Sequence, residues 1–226
     1  MTVKAAIKRV FSDGREEFLE DELAQEVYVQ LFEENQLVWN TTGSPSQLSE
    51  LAAGYHYIHN QKTIEKGSIQ VVKEDENHYR VVYSNGKERK LTRNVNAERD
   101  ETYRDYGKAE EDLLHCSDAF RRTGNVHCSA LCRGSLICYQ GEDLSRHLSV
   151  YKTIGACILD GNDPAEYYLC TTGRIPISMA EMIYMAGVKT LVSRSAPTNL
   201  TLDFAKKNNM KVLGFVSEKR VNCYEY

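Results

Sequence analysis

Long apolar runs are missing from this sequence, and none approaches the roughly 20 consecutive apolar residues that a membrane-spanning helix needs. The first 22 residues also lack an apolar stretch of signal-peptide length, so we expect a cytoplasmic protein. Positive charge is not in excess: 28 Lys and Arg face 32 Asp and Glu, which argues against broad nucleic-acid binding. The overall composition, 42% hydrophobic and 27% charged residues in a chain of 226, is typical of a water-soluble globular protein.

The cysteine pattern excludes two common small architectures. The seven cysteines are an odd number, and no two of them have the Cys-x-x-Cys spacing, so neither a disulfide framework nor a zinc ribbon is expected. A metal site made of His127, Cys128 and Cys132 would need a fourth ligand that the sequence does not show. We therefore predict no metal site, and we expect most of the thiols to be small buried hydrophobes.

The first half of the chain is predicted to be a smaller α+β portion, residues 1–105. EVYVQLF and LVWN alternate in polarity around EENQ, which indicates a β-hairpin. SPSQLSELAAGYHYIHNQ is predicted to be an amphipathic helix, with Ser44 as its N-cap and Gln47 completing a capping box. Three strands follow, SIQVVK, HYRVVYS and ERKLTR, the last two joined by a turn at Asn85-Gly86.

The second half, residues 106–226, is predicted to be an α/β domain. The polar segment 94–112 is interpreted as an exposed connector that leads into a helix through LLHCSDAFRR, ending at Gly124. Apolar strands then alternate with helices, which favours a mainly parallel sheet with helices on its faces. The predicted strands are NVHCSALC, SLICYQG, YYLCTT, KTLVSRS and KVLGFVS, and the predicted helices are LSRHLSVYKTIGACIL, SMAEMIYMAG and NLTLDFAKKNN.

Three strand-to-helix junctions carry residues suited to binding an anion. In open sheets of this kind, ligands bind beyond the carboxyl ends of the strands, where helix N-termini also point. GEDLSRH, TTGRIPIS and SRSAPT each offer hydroxyls or a glycine and one arginine, namely Arg146, Arg174 and Arg194. The alternative is that Ser178 and Glu181 only close a capping box and that the arginines are solvated.

Two histidines, His127 and His147, are placed by pattern near the same edge. Neither has a carboxylate partner at helical spacing, so a supporting role is favoured over acid–base catalysis. Zinc-dependent base deaminases share this order of strands and helices, but they need an H-x-E helix start and a later P-C-x-x-C. Both motifs are missing here, because Cys128 and Ser129 follow the histidine, and zinc-dependent deamination is excluded.

Four strings in order carry a resemblance to a known family. TGNVHCSALC, GEDLSRHLSVYKTIG, TTGRIPISMAEMIYMAGVKTLVSRSAPTNLTLDFAKKNN and KVLGFVSEKRVNCY resemble the FdhD family of formate dehydrogenase accessory sulfur carriers. That family's patterns run TGG-x-H, EDxGRHNAxDKxxG, SGRxSxE, SxSAPT and GFxRxxxxNxY. The opening EVYVQLFEENQLVWNTTGSPSQLSELAAGYHYIHNQKTI is similar to the family's first strand pair and helix, so the resemblance covers about residues 24–225.

The resemblance implies a cytidine-deaminase-like mixed sheet with flanking helices and without a zinc site, preceded by the α+β portion. It implies binding of the molybdenum or tungsten bis(guanine dinucleotide) cofactor, or of a guanine nucleotide. It also implies formate dehydrogenase or a related molybdoenzyme as client, a cysteine desulfurase as sulfur donor, and a homodimer. The cofactor-binding residues it assigns here are Arg146, His147, Arg174, Arg194, Ser195, Thr198, Phe215, Val216, Ser217, Glu218, Lys219 and Arg220.

The sequence departs from the family at the sulfur-carrying position. The family carries sulfur on a C-G-x-C-G loop, but the matching interval, LTRNVNAERDETYRDYGKAEED, has no cysteine, and only a thiolate can hold a persulfide. Ser145 and Leu148 replace the glycine and asparagine of GRHN, and Ser217 replaces the arginine of GF-x-R. Cys128 and Cys116 are the substitute thiol candidates, and Cys223 is a weaker one.

Three functional hypotheses follow. The first is an accessory protein that binds the guanine-bearing cofactor and assists its sulfuration or its insertion into formate dehydrogenase. The second is a non-catalytic guanine-nucleotide or molybdopterin-cofactor adapter that has lost sulfur transfer, so enzymatic activity is undecided at this level. The third is an unrelated small-molecule enzyme on the same scaffold, because a fold alone does not determine chemistry.

Overall fold

The structure, a computed structural model, describes residues 2–84, 91 and 101–224. The N-terminal portion begins with an antiparallel hairpin of β1 (Thr2–Val10) and β2 (Glu16–Ala24), which forms a two-stranded sheet of its own. A four-stranded sheet follows in the order β4-β3-β6-β5. Its elements are β3 (Val27–Glu33), β4 (Gln36–Gly43), β5 (Ile69–Lys73) and β6 (His78–Tyr83), with α1 (Leu48–Asn60) between β4 and β5.

The C-terminal portion is built on a six-stranded sheet in the order β12-β11-β10-β9-β7-β8. Its strands are β7 (His127–Arg133), β8 (Leu136–Asp143), β9 (Tyr168–Thr171), β10 (Thr190–Ser193), β11 (Lys211–Ser217) and β12 (Arg220–Cys223). Its helices are α2 (Tyr103–His115), α3 (Asp118–Thr123), α4 (Arg146–Leu159), α5 (Ile177–Met185) and α6 (Asn199–Lys207). The predicted fold class is confirmed: an α/β mixed sheet with flanking helices, preceded in the chain by a smaller α+β portion.

Helices cover both faces of the six-stranded sheet. Apolar residues of α2 pack on one face in a cluster that includes Tyr106, Leu113 and Cys170. On the other face, α4, α5 and α6 share an apolar cluster with α1 and the four-stranded sheet. The two portions meet where α1 crosses α4 at Gly54 and Gly155, because a Cβ on either glycine would overlap the backbone of the other helix. One continuous core therefore joins both sheets.

The hairpin prediction for EVYVQLF and LVWN is confirmed, but the hairpin of β1 and β2 was not predicted. Exposed charged residues occur all along both of its strands, so the alternation of apolar and polar side chains that identifies a strand is weak there. Strand β12 was also not predicted. The predicted strand ERKLTR and the turn at Asn85-Gly86 lie outside the described residues, Leu91 excepted. The division between residues 105 and 106 stays a prediction, and it falls within α2.

Several local predictions are wrong. Helix α1 begins at Leu48 behind Gln47, which has φ 51° and makes no side-chain cap, so Ser44 is not the N-cap. Ser44 is buried and donates from its backbone N–H to Asp143 instead. Ser178 lies inside α5, which begins behind Pro176, so the capping box with Glu181 does not form.

The helix predicted through LLHCSDAFRR is two helices. The hydroxyl of Ser117 accepts the N–H of Phe120 and caps α3, which separates it from α2. The mainly parallel sheet is also a wrong prediction: only the β9–β10 and β10–β11 pairs are parallel. The pairs β7–β8, β7–β9 and β11–β12 are antiparallel. Within the described part of the chain, no helix combines the length and the apolar character that crossing a membrane requires.

Candidate functional site

One edge of the six-stranded sheet collects the loops of interest. The parallel strands β9, β10 and β11 end there, at Thr171, Ser193 and Ser217. Strand β7 is antiparallel to β9, so its first residue, His127, lies at the same edge. His127 pairs with Asp143, the last residue of β8, so the loop into α4 also starts there. We call this the carboxyl edge, and it is where an open sheet of this type binds ligands.

At one end of the carboxyl edge, two arginines surround a histidine. A Cβ on Gly173 would lie 3.0 Å from Cβ of Arg146 and 3.5 Å from Nδ1 of His127, so these three residues touch. Burial, with the nearby guanidinium groups of Arg146 and Arg174, lowers the pKa of His127. We call His127, Arg146, Gly173 and Arg174 the His127 cluster. Its histidine is held neutral, and its two arginines supply positive charge.

The N-terminus of α4 adds donors to the His127 cluster. The N-cap, Ser145, makes no side-chain capping bond, and no acidic residue stands in the first turn of this 14-residue helix. Helix N-termini with unpaired N–H groups favour anions. His147 Nε2 lies 3.0 Å from Ser178 Oγ, which ties the start of α4 to the start of α5. Burial, together with Arg146, lowers the pKa of His147, so it too is held neutral.

At the third strand-to-helix junction, SRSAPT, the side chains already contact other parts of the protein. Arg194 donates from Nη1 to Glu111 Oε2 on α2, at 3.0 Å, so its charge is already paired. The hydroxyl of Ser195 donates to the carbonyl of Thr172. Thr198 is the N-cap of α6 and accepts the N–H of Thr201. These contacts hold the loops of the junction in place. Of the three binding residues predicted here, only Arg194 is charged, and Glu111 already pairs with it.

The turn between β11 and β12 forms the other end of the carboxyl edge. Phe215 has φ 51°, a left-handed conformation that is unusual for an aromatic residue, and 37% of its surface is exposed. The guanidinium of Arg220 lies 5.6 Å from the centre of its ring. The hydroxyl of Ser217 accepts the N–H groups of Lys219 and Arg220, which closes the turn. Val216, by contrast, is fully buried in the core and cannot contact a ligand.

A hollow of about 210 Å³ lies beside this turn. Arg220, Lys219 and Glu218 line it, and α2 contributes Tyr103 and Arg104. The other lining residues are Ser217, Val221 and Cys223. The polar connector pattern gave no signal that Tyr103 and Arg104 belong to a site, because their approach to β12 depends on how α2 packs.

Helix α2 lies along the carboxyl edge and connects its two ends. Gly107 approaches the backbone of Ser217 so closely that a Cβ on this glycine would lie only 2.8 Å from the Ser217 carbonyl oxygen. Further along the helix, Glu110 Oε1 accepts the N–H of Thr171 at the end of β9. Burial raises the pKa of Glu110 to about 8. Glu110 could not be identified from the sequence, because nothing in the polar stretch shows that its side chain turns inward.

The four predicted arginines therefore share one edge but not one hollow. Arg146 and Arg174 belong to the His127 cluster, Arg194 pairs with α2, and Arg220 lines the hollow at the far end. An elongated ligand could contact both ends of such an edge, whereas a compact anion could contact only one.

The candidate thiols divide between the two ends. Cys116, just after α2, is exposed, and its thiol donates to the carbonyl of Leu113 at 3.1 Å, whereas Cys128, on β7, is buried. Cys128 Sγ lies 3.7 Å from Oε2 of Glu142, a carboxylate that sequence reasoning missed. Cys223 lines the hollow at the opposite end.

Comparisons with known proteins agree with this architecture. The model of the FdhD/NarQ family matches residues 102–226. The sulfur carrier protein FdhD of Methanothermobacter thermautotrophicus is 37% identical over 114 residues, which cover 50% of this chain and 46% of that protein. The sulfur carrier protein FdhD of Bacillus subtilis is 31% identical over 116 residues, covering 51% and 44%. The matched region is thus less than half the length of these relatives.

A crystal structure of a protein from Desulfotalea psychrophila, described as a formate dehydrogenase accessory protein, has the same fold. It superposes with a TM-score of 0.81 at 19% identity, covering 100% of this chain and 97% of that one. The family match covers more than half of the present chain, including all strands of the six-stranded sheet and the whole carboxyl edge. This chain belongs to the FdhD/NarQ family.

Proposed function

We propose that this protein binds a guanine-bearing molybdenum or tungsten cofactor and assists the maturation of formate dehydrogenase. Membership of the FdhD/NarQ family supports this, as do the names of the similar proteins, which describe a sulfur carrier and a formate dehydrogenase accessory protein. The cofactor is cargo in this proposal, and the chemistry of its metal belongs to the client enzyme.

The observation that carries the proposal is the exposed ring of Phe215 beside the guanidinium of Arg220, a residue that lines the hollow. An exposed aromatic face stacks on a nucleotide base, and a neighbouring guanidinium binds phosphate oxygens in pairs. The left-handed backbone of Phe215 costs about 1–3 kcal/mol, and strain of this kind clusters at ligand sites. The hollow, at about 210 Å³, is below the roughly 300–1,000 Å³ of whole-ligand pockets. We therefore assign it to the base end of the ligand.

The remaining part of the ligand would extend along the carboxyl edge. Lys219 and Arg104 flank the hollow, and the His127 cluster with the N-terminus of α4 offers a second cationic region. A pyrophosphate-linked pterin is elongated and anionic at its centre, so it matches two separated cationic regions better than one compact pocket. Lys219 and Arg220 supply the charge that Ser217 does not, since the family has an arginine at that position.

A second candidate function is a cofactor-binding adapter that does not carry sulfur. The observation that favours it is the interval 91–112, which has no cysteine where the family carries its sulfur. Both candidates require the same ligand site. They differ only in whether another thiol of this chain accepts sulfur.

Calorimetry with guanosine diphosphate tests the ligand site. We expect binding by the wild-type chain, weaker binding of adenosine diphosphate, and an affinity for guanosine diphosphate at least about tenfold lower in the variant K219A/R220A, since charge-assisted hydrogen bonds are lost. The matched control is K66A/K207A, which removes the same charge from exposed positions away from the carboxyl edge. No heat with the wild-type chain would contradict the proposal, and equal losses in both variants would show a general charge effect.

A further inference from the structure

A small pocket lies beside the start of β3 in the N-terminal portion, apart from the hollow described above. Its volume is about 270 Å³, and its lining residues are Glu26, Val27, Tyr28, Thr42 and Asn77. This volume is below the roughly 300–1,000 Å³ of pockets for whole small-molecule ligands. We call it the Tyr28 pocket, and its size fits one inserted side chain rather than a complete nucleotide.

The aromatic wall of this pocket belongs to a row of side chains across three strands. Tyr28 lies directly opposite Thr42 on β4 and directly opposite His78 on β6, so the three side chains share one face of the sheet. The rings of Tyr28 and His78 stack, with centroids 4.9 Å apart and planes 11° from parallel. The short side chain of Thr42 covers little of the ring from the other side, and 55% of Tyr28 is exposed. One face of the Tyr28 ring is therefore supported, and the other is open to a ligand.

The Tyr28 ring is held in place before any ligand arrives. Nδ1 of His78 lies 2.9 Å from both carboxylate oxygens of Asp75. The backbone N–H of Tyr28 donates to the carbonyl of Asn77, at 2.7 Å. The N–H of Asn77 and the bond to His78 lower the pKa of Asp75, so its carboxylate stays charged and keeps the His78 ring in position. A preformed wall of this kind lowers the entropic cost of binding.

The polar groups around the ring are available to a ligand. Glu26 precedes Tyr28 by two residues, and its exposed carboxylate forms no ion pair with any residue that the structure describes. Within the same described ranges, the side chains of Thr42 and Asn77 have no hydrogen-bond partner, and no lysine or arginine lies over the Tyr28 ring. The pocket thus combines an open aromatic face, a carboxylate, an amide and a hydroxyl.

We propose that the Tyr28 pocket binds the arginine side chain of a partner polypeptide. A planar guanidinium stacks on an aromatic face while its fork of N–H groups binds a carboxylate, here Tyr28 and Glu26. The side-chain oxygens of Asn77 and Thr42 supply acceptors for the remaining N–H groups. A lysine ammonium lacks both the planar stacking surface and the fork, so it matches the pocket less well. An anionic ligand is disfavoured by the charge of Glu26.

The charge of this region favours a basic partner. Residues 1–105 contain 14 Lys and Arg against 19 Asp and Glu. Glu76, the chain neighbour of Asn77, is exposed and, like Glu26, has no ion-pair partner among the described residues. A negative surface speeds the association of positively charged segments with it. An arginine within a basic segment therefore complements both the pocket and its surroundings.

The pocket lies close to the His127 end of the carboxyl edge. Thr42 is followed by Gly43, where a Cβ would lie 2.9 Å from Oδ2 of Asp143. Asp143 ends β8 and pairs with His127. A polypeptide anchored by an arginine in the Tyr28 pocket would therefore lie beside the proposed ligand site. The inference goes beyond the proposed function, because it does not depend on which ligand that site takes.

Titration of the isotopically labelled full chain with N-acetyl-L-arginine methylamide, followed by nuclear magnetic resonance, tests the proposal. We expect a saturable shift of the Asn77 side-chain amide signal. The affinity should be about fivefold or more lower in E26Q, which loses the carboxylate charge, and in Y28L, which loses the ring. The lysine analogue and the neutral citrulline analogue should also bind about fivefold or more weakly. The matched controls are E181Q, at an exposed carboxylate on α5, and F18L, at an exposed ring on β2, and both should leave the affinity unchanged.

The proposal would be overturned by the lack of a saturable shift, by equal binding of the lysine analogue, or by equal losses of affinity in the control variants. Free arginine distinguishes a docking site from a small-molecule site. Glu26 repels the carboxylate of the free amino acid, so the capped probe should bind at least as tightly, and tighter binding of free arginine would overturn the assignment to a polypeptide. E26Q should bind guanosine diphosphate as the wild-type chain does, so this inference and the proposed function fail separately. Loss of nucleotide binding in E26Q would place the pocket within the cofactor site and would also overturn the inference.

Discussion

Lys152 Nζ lies 2.5 Å from Oδ2 of Asp143, and both side chains are fully buried. Lys152 also donates to the hydroxyl of Ser44, at 2.7 Å, and Ser44 in turn donates from its backbone N–H to Asp143. Ser44 follows β4 in the N-terminal portion, whereas Asp143 and Lys152 belong to β8 and α4. This buried ion pair therefore joins the two portions next to the carboxyl edge.

Removing one partner of this pair should be strongly destabilising. In K152M the carboxylate of Asp143 stays buried without its cation, and such a loss costs about 3–5 kcal/mol. Urea unfolding measures the change in the free energy of unfolding. K4M is the control, because the ion pair of Lys4 with Glu20 is exposed on both sides and should contribute at most about 1 kcal/mol. Similar losses in both variants would contradict a structural role for the buried pair.

The crossing of α1 and α4 depends on the missing side chain of Gly155. A Cβ there would lie 1.8 Å from the backbone oxygen of Glu50, a contact that only a shift of one helix can relieve. We expect G155A to lower the free energy of unfolding by about 3 kcal/mol or more. The matched control is G67A, since a Cβ at Gly67 meets nothing within 4 Å and should change stability by less than about 1 kcal/mol. Thermal unfolding of both variants checks this, and a stable G155A would show that the helices can separate cheaply.

Glu110 should make the protein less stable as the pH rises. Burial raises its pKa from 4.5 to about 8 in the folded chain, so between these values the folded state holds a proton that the unfolded state has lost. The free energy of unfolding then falls by about 1.4 kcal/mol per pH unit from this group. Its favourable contribution is complete below pH 4.5 and is lost as the pH rises toward about 8.

The variant E110Q isolates this effect. Glutamine keeps an oxygen that can accept the N–H of Thr171 but cannot ionise, so the difference in stability between E110Q and wild type should grow with pH across that window. Urea unfolding at several pH values from about 5 to about 8 measures it, with E17Q, at an exposed position of β2, as the control. A pH-independent difference would mean that Glu110 is already charged in the folded state.

The left-handed conformation of Phe215 allows stability and binding to be separated. Glycine adopts φ 51° without strain, so F215G should keep the fold, the relief of strain offsetting the lost ring contacts to within about 1 kcal/mol. Base stacking is worth about 1–3 kcal/mol, so F215G should bind guanosine diphosphate about tenfold or more weakly, while F215W should retain binding. Unchanged affinity in a folded F215G would exclude the ring as the stacking surface.

Much of the local structure could be predicted because it depends on short-range patterns. The alternation in EVYVQLF indicated β3, and the buried apolar strings YYLCTT and KTLVSRS indicated β9 and β10. The predicted junctions also reach one edge, because strand ends and helix starts follow from the order of elements. Ser44 failed as an N-cap for a non-local reason: its hydroxyl and N–H are bound by Lys152 and Asp143, about 100 residues away.

The sequence by itself determined the family, the α/β class and which kinds of side chain lie at the carboxyl edge. Motifs and periodicity are patterns among residues that are close together along the chain. Only the tertiary structure decided that Arg194 is paired with Glu111, that Arg220 lies apart from the His127 cluster, and that Glu110 accepts the N–H of Thr171. These relationships depend on how α2 packs across the strand ends. Such packing is set by the shape and burial of the whole core, which no local pattern encodes.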